Sequence, residues 1–268
     1  MEEDSAKSAR RPVLVVEDNL VNQRVTSLML GRLGLPYRLV SNGREALDLF
    51  GREKFSIVLM DCMMPELDGF ETTTAIRKLE ALTGAYTPVV AVTALSMTGD
   101  RERCIAAGMD DYLAKPIDID MLSLKLTHWL KEDVVYRQHK FKRYHDDLAV
   151  LEKQPVNLQE LVEFYGEDQM HQIIQIFIDT TRDLLKRLSC FVKERDSRAV
   201  AGLAHELKSS CASVGAKQLA KLCLFLEQAA GQEDWLEAEE TLASFNKLFA
   251  HCQEFILTVT WYRAPDKR

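Results

Sequence analysis

Glu17, Asp18, Asp61, Thr93 and Lys115 each stand at the end of a short apolar run. If those runs are parallel strands of one open sheet, their carboxyl ends meet at one edge, where such sheets hold their ligands. Two carboxylates about 4 Å apart repel by about 4 kcal/mol at an effective dielectric of about 20, and three together need protons or a cation. A small hard cation with oxygen ligands, several of them waters, meets that need, which points to Mg²⁺. One strand-end acid is ordinarily a solvated loop residue. Three acids, a hydroxyl and an ammonium gathered at the ends of four of the five runs are a joint geometry that solvated loop residues do not explain.

A second constellation lies in AHELKSSCASVGA, residues 204–216. Wound as a helix at roughly 100° per residue, the stretch puts Leu203, Leu207, Ser210 and Val214 on one stripe and turns His205 and Lys208 away from it. Ala201, Ala204 and Ala212 are expected to leave the imidazole unscreened, with a nucleophilic nitrogen open to a partner's phosphate. Lys208, one turn on, is placed to neutralise phosphate oxygens. The other histidines lack this setting: His139 and His145 lie in a charged stretch, and His128, His171 and His251 have no comparable neighbours.

These residues need elements to position them. Apolar runs at 13–16, 37–40, 55–60, 89–92 and 112–114 alternate with amphipathic patterns near 20–33, 44–53, 70–82, 99–107 and 118–131. Five β-plus-α units predict an α/β doubly wound, five-stranded parallel sheet covered on both faces. The second half carries helical stripes only. One runs through Ile173/Ile174, Phe177, Thr181, Leu184/Leu185 and Leu188, another through Leu219, Leu222/Cys223 and Leu226, and a third from Leu242 to Val259. With the helix around His205 they predict an all-α four-helix bundle preceded by a short helix at 158–165. The division expected is 11–131, a charged linker at 132–156, and 157–260.

The global numbers agree with two ordinary cores: 268 residues, 47% hydrophobic and 28% charged. A net charge of −7 gives no general reason to expect nucleic acid or an anionic membrane as a partner. Six cysteines without CxxC spacing read as packed, reduced thiols rather than a disulfide framework or a zinc site. The charged opening MEEDSAKSARRP has no apolar core of a signal peptide, and no run nears the 18 apolar residues of a membrane span. The expected localisation is cytoplasmic.

VLVVEDNLVNQ, VLMDCMMPELDGFE, VTAL and YLAKPID resemble the flavodoxin-like receiver domain of two-component signalling, of the kind attached to hybrid histidine kinases. The resemblance implies that Asp61 accepts a phosphoryl group as a 4-aspartylphosphate. It implies that Glu17, Asp18, Asp61 and the main-chain carbonyl of Met63 hold Mg²⁺, and that Lys115 and Thr93 contact the phosphate. Ala94 would keep the site open, Pro116 would aim the lysine through a cis bond, and Thr93 with Tyr112 would form a conformational switch. HELKSSCASVGA and GAKQLAKLCLFLEQAA resemble histidine phosphotransfer (HPt) domains, implying phosphorylation at His205 with Lys208 and Gly215 in support. Ser209 departs from the glycine many relatives carry, which bears on how closely a partner's backbone approaches.

No GxxxxGK[ST] loop or room for a nucleotide-binding kinase domain is present, so energy must arrive already stored in a phospho-residue. The expected function is a phosphorelay intermediate, a response-regulator receiver joined to a phosphotransfer module. Its donor would be a sensor histidine kinase or hybrid kinase, and its acceptor a downstream receiver or phosphotransfer protein. A linker of about 25 residues reaches about 80 Å when extended, so transfer within the chain is sterically open. The Met1 start and polar lead-in suit a standalone protein, while the C-terminal portion of a hybrid sensor kinase is the alternative. The basic, aromatic YRQHKFKRYH at 136–145 raises a DNA-binding reading, but no recognition-helix module follows it. A non-phosphorylated adaptor is opposed by the intact acids, lysine and histidine.

Overall fold

Central strands with no polar face must be covered on both sides, and three of the five strands here are of that kind. The computed structural model describes residues 11–93, 100–131, 134 and 155–259. The chain divides into two units, Met1–Gln138 and His139–Arg268. In the first, β1 (Val13–Val16), β3 (Ile57–Asp61) and β4 (Val89–Thr93) are buried at every residue. The edge strands β2 (Tyr37–Val40) and β5 (Asp111–Ala114) expose part of their length. All neighbours run parallel, in the order β2-β1-β3-β4-β5. The crossovers are helices α1 (Leu20–Arg32), α2 (Gly43–Phe50), α3 (Gly69–Thr83) and α4 (Asp100–Ala107), with α5 (Ile119–Leu130) after the last strand.

Caps fix where the helices start, and hence where the strand ends are left open. Asn19 accepts from the amides of Val21 and Asn22 at the head of α1, and Asp118 accepts from Met121 at the head of α5. Asp68 and Glu71 form a reciprocal capping box on α3. The next residue, Gly69, passes so close to the end of β3 that a Cβ there would collide with the carbonyl oxygen of Asp61. Phe55, expected within the third strand, lies before it and stacks on Phe50 with ring centroids 6.1 Å apart.

The second unit holds α6 (Leu158–Tyr165), α7 (Glu167–Glu194), α8 (Ser197–Ser213), α9 (Lys217–Gly231) and α10 (Trp235–Thr258). Helix α7 packs on α6, α8 and α10, α8 on α9, and α9 on α10, so the four long helices close a ring around one core. The stripes read from sequence are its lining: Ile173, Ile174, Phe177, Thr181, Leu184, Leu185 and Leu188 from α7, with Phe245, Phe249, Cys252 and Ile256 from α10. Gly215, at φ +71°, ends α8 in the left-handed region, which a side chain would disfavour. All six cysteines are free, and only Cys190 is exposed. Among the described residues no helix is long and apolar enough to cross a membrane. Apart from Val134, Pro155 and Val156, the stretch 132–156 lies outside the described residues, including the basic segment 136–145.

Candidate functional sites

Sheet register carries the first site. Val16 of β1 pairs with Met60 of β3, so Glu17 and Asp61 follow at the same level. Asp61 pairs with Val92 of β4, and Thr93 pairs with Ala114 of β5, which brings in Lys115. Carboxylate oxygens of Glu17, Asp18 and Asp61 all lie within 4.8 Å of one another. Lys115 Nζ reaches both flanking acids, 2.7 Å from Glu17 Oε2 and 2.6 Å from Asp61 Oδ2. The Lys115 amide donates to the Thr93 carbonyl at 2.8 Å, and the Lys115–Pro116 bond is cis. The Met63 amide donates to Asp61 Oδ1 at 3.1 Å.

The pocket carries more negative charge than its lysine can balance. Burial, then the charge of Asp61, pushes the Glu17 carboxyl up to about 8, against the pull of Lys115 and Asn22. Burial works against the Lys115 ammonium too, but the Glu17 and Asp61 carboxylates outweigh it and hold it above its ordinary range. Repulsion between two carboxylates 4.8 Å apart is about 3.5 kcal/mol at an effective dielectric of about 20. Three oxygen-donor acids with one cation between them suit a further hard cation.

The second site sits where α8 meets α9. His205 Nδ1 lies 3.0 Å from Glu227 Oε1, and Lys208 Nζ lies 2.6 Å from Glu227 Oε2. Burial alone would raise the Glu227 carboxyl, but His205 and Lys208 more than offset it and lower it below the usual range. The expectation of an unscreened imidazole needs correction. Its side chain is 23% exposed, Ala204 belongs to the core, and the Glu227 carboxylate covers the Nδ1 edge. Helix α9 crosses closely enough to put an acid there, which the stripe of α8 alone could not reveal. Ser209 is buried as well, so its side chain is not on the outer surface.

Residues 13–127 match the family model of the response regulator receiver domain, and 172–255 match that of the Hpt domain. The chain joins a receiver domain to an Hpt domain. The hybrid signal transduction protein dokA of Dictyostelium discoideum is 39% identical over 124 residues, 46% of this chain and 7% of that protein. Sensor histidine kinase RcsC of Escherichia coli (strain K12) is 36% identical over 115 residues, 43% of this chain and 12% of that protein. The chain thus spans a small part of these relatives' length. The crystal structure of the receiver domain of sensor histidine kinase PA1611 from Pseudomonas aeruginosa PAO1, with magnesium coordinated in its active-site cleft, is 43% identical. It covers 46% of this chain and all of its own, with a TM-score of 0.43.

Within the receiver domain, the sequence-predicted residues Glu17, Asp18, Asp61 and Lys115 come together, with Thr93 buried at the adjoining strand end. Tyr112 does not reach this level of the sheet. It pairs with Ala91, is 50% exposed, and has the Lys125 ammonium 5.6 Å from its ring centroid. Ala94 lies outside the described residues. Two supporting residues went unread. Asn22 Nδ2 donates to Glu17 Oε1 at 2.8 Å, and Gln23 Nε2 donates to the Glu17 carbonyl at 2.6 Å. Both stand in the first turn after the acids, where a cap at Asn19 folds the helix back over the strand end. In the Hpt domain the unread residue is Glu227, nineteen positions beyond Lys208 and joined to it only by the α8–α9 hairpin.

Proposed function

We propose that the chain is a phosphorelay intermediate that accepts a phosphoryl group on Asp61 and accepts or passes one at His205. The observation that carries this reading is Lys115 bridging Glu17 and Asp61 inside a trio of acids at the strand ends. Glu17, Asp18, Asp61 and the carbonyl of Met63 would hold Mg²⁺, whose role there is to neutralise phosphate oxygens. The buried, under-compensated carboxylates fit that ion. A carboxylate oxygen of Asp61 forms the new bond to phosphorus as the donor histidine's N–P bond breaks, and the electron pair stays on that nitrogen. Lys115 already touches Asp61 and turns to the oxygens of the incoming group, with the Thr93 hydroxyl as a further donor.

At His205 the same exchange runs with nitrogen as the nucleophile. With Nδ1 held against Glu227, Nε2 is the nitrogen left for phosphorus. As the N–P bond forms, the aspartyl O–P electrons return to the donor carboxylate and the ring becomes cationic. Glu227 stabilises that charge, and Lys208, held by the same carboxylate at 2.6 Å, would turn to the phosphoryl oxygens. Tyr112, Ala94, Pro116 and Gly215 have supporting parts in this reading. A sensor or hybrid histidine kinase would supply the group, and a downstream receiver or phosphotransfer protein would take it. The hybrid kinases among the relatives favour a second reading, in which these two domains are the receiver and phosphotransfer portion of such a kinase.

Acetyl phosphate supplies a test that needs no partner. Full-length protein incubated with it should gain a phosphoryl group on Asp61 only when Mg²⁺ is present, and Asp61→Asn should gain none there. Equal labelling in chelator, or labelling untouched by Asp61→Asn, would overturn the assignment.

A further inference from the structure

Glu17 is held at every polar atom. Its amide donates to the Val40 carbonyl at 3.1 Å, and its own carbonyl accepts from Gln23 Nε2 at 2.6 Å. On the side chain, Oε1 accepts from Asn22 Nδ2 at 2.8 Å, and Oε2 lies 2.7 Å from Lys115 Nζ. The last of these contacts breaks when Lys115 turns to an incoming phosphoryl group, as the proposed function requires. We propose that Asn22 is a positioning residue for the metal site: its amide keeps the Glu17 carboxylate among the acids once Lys115 has let go, and it can do so because residue 17 is a glutamate. This inference rests on the reading of Glu17, Asp18 and Asp61 as a Mg²⁺ site.

The start of α1 puts Asn22 where it can act. The Asn19 side chain accepts from the amides of Val21 and Asn22, and the Gln23 amide donates to the Asn19 carbonyl at 2.9 Å. The first turn is therefore fixed directly after the acids. Asn22 is buried along with Val25 and Thr26, its neighbours one turn on, so its amide needs a partner inside the fold. Glu17 is buried too, and a hydrogen bond to an ionised acceptor is stronger there than in water. Side-chain length sets the match. An aspartate at position 17 would draw its oxygens back by one carbon–carbon bond, about 1.5 Å, and a contact of 2.8 Å would pass out of hydrogen-bond reach. Glu17 and Asn22 thus form a matched pair. Groups that hydrogen-bond a metal-ligating carboxylate orient it, and their loss typically costs about 10–100-fold in metal affinity.

Isothermal calorimetry of MgCl₂ titrated into the full-length protein tests the pair, with unfolding in chelator as the check on the fold. Asn22→Leu, similar in shape but without a donor, should bind Mg²⁺ about tenfold more weakly than wild type. Asn22→Ala, which adds no bulk, should match it. In a Glu17→Asp background, where the carboxylate no longer reaches the amide, Asn22→Leu should change the affinity by less than about twofold. An asparagine with a merely structural role would lower stability in chelator and leave the Mg²⁺ affinity alone. Wild-type affinity in folded Asn22→Leu or Asn22→Ala would therefore overturn the positioning role while the metal site stood. An equal loss in the Glu17→Asp background would overturn it as well, because Asn22 would then act apart from Glu17. Failure of the wild type to bind Mg²⁺ would overturn the metal site itself, and this role with it.

Discussion

Replacing Lys115 by methionine removes the cation that, among the described residues, touches both Glu17 and Asp61, while keeping most of the side chain's volume. The lysine side chain is only 9% exposed, so water screens the two contacts little. Breaking a buried ion pair from one side costs about 3–5 kcal/mol, since the remaining charge has no compensation. Glu17 can take up a proton, which places the cost near the lower bound at pH 7. In chelator, the receiver transition in calorimetry should therefore fall by about 3 kcal/mol, while the Hpt transition stays in place. Added Mg²⁺ should recover more stability in the variant than in the wild type, because the ion replaces the missing charge and no longer meets an ammonium. Stability within about 0.5 kcal/mol of wild type in chelator, or equal Mg²⁺ gains in both proteins, would refute the account of an over-charged pocket.

Other expectations concern single groups. With its folded value near 8 and an ordinary value of 4.5, Glu17 keeps a proton in the folded, metal-free receiver that the unfolded chain releases. Its contribution is fully present below about pH 4.5 and lost as pH rises through about 8, so receiver stability in chelator should decline across that window and flatten with Mg²⁺; a rise would contradict it. Glu227→Gln should slow phosphoryl acceptance at His205 by about tenfold with the bundle still folded, measured by label on His205; an unchanged rate would remove Glu227 from the site. The Thr181 hydroxyl is buried in the bundle core without a hydrogen-bond partner, so Thr181→Val should stabilise the Hpt domain by about 1 kcal/mol in urea unfolding.

Alternation of period made the architecture readable from sequence. Short continuous apolar runs such as VLVV and IVLM, alternating with amphipathic stretches, read as strands buried on both faces, and stripes such as Ile173–Phe177–Leu184–Leu188 read as one side of a long helix. The receiver site was readable for the same reason: each of its residues ends a strand or lies within two residues of its end, and parallel register converts that shared position into contact. What escaped depends on how separate helices meet. Glu227 shares no local pattern with His205, and the covering of the imidazole appears only once α9 lies across α8. Asn22 escaped differently, because its turn toward Glu17 is set by the cap at Asn19 rather than by any apolar period.

The central claim of the proposed function is two phosphoryl stops in one chain, Asp61 and His205, with label from acetyl phosphate reaching His205 only by way of Asp61. Radiolabelled acetyl phosphate with Mg²⁺, added to wild type, Asp61→Asn and His205→Gln, reads both stops, because acyl phosphate is lost in base and phosphohistidine in acid. Wild type should show the base-labile label first and the acid-labile label later, His205→Gln only the first, and Asp61→Asn neither. Acid-labile label on His205 appearing at the wild-type rate in Asp61→Asn would contradict the two-stop route.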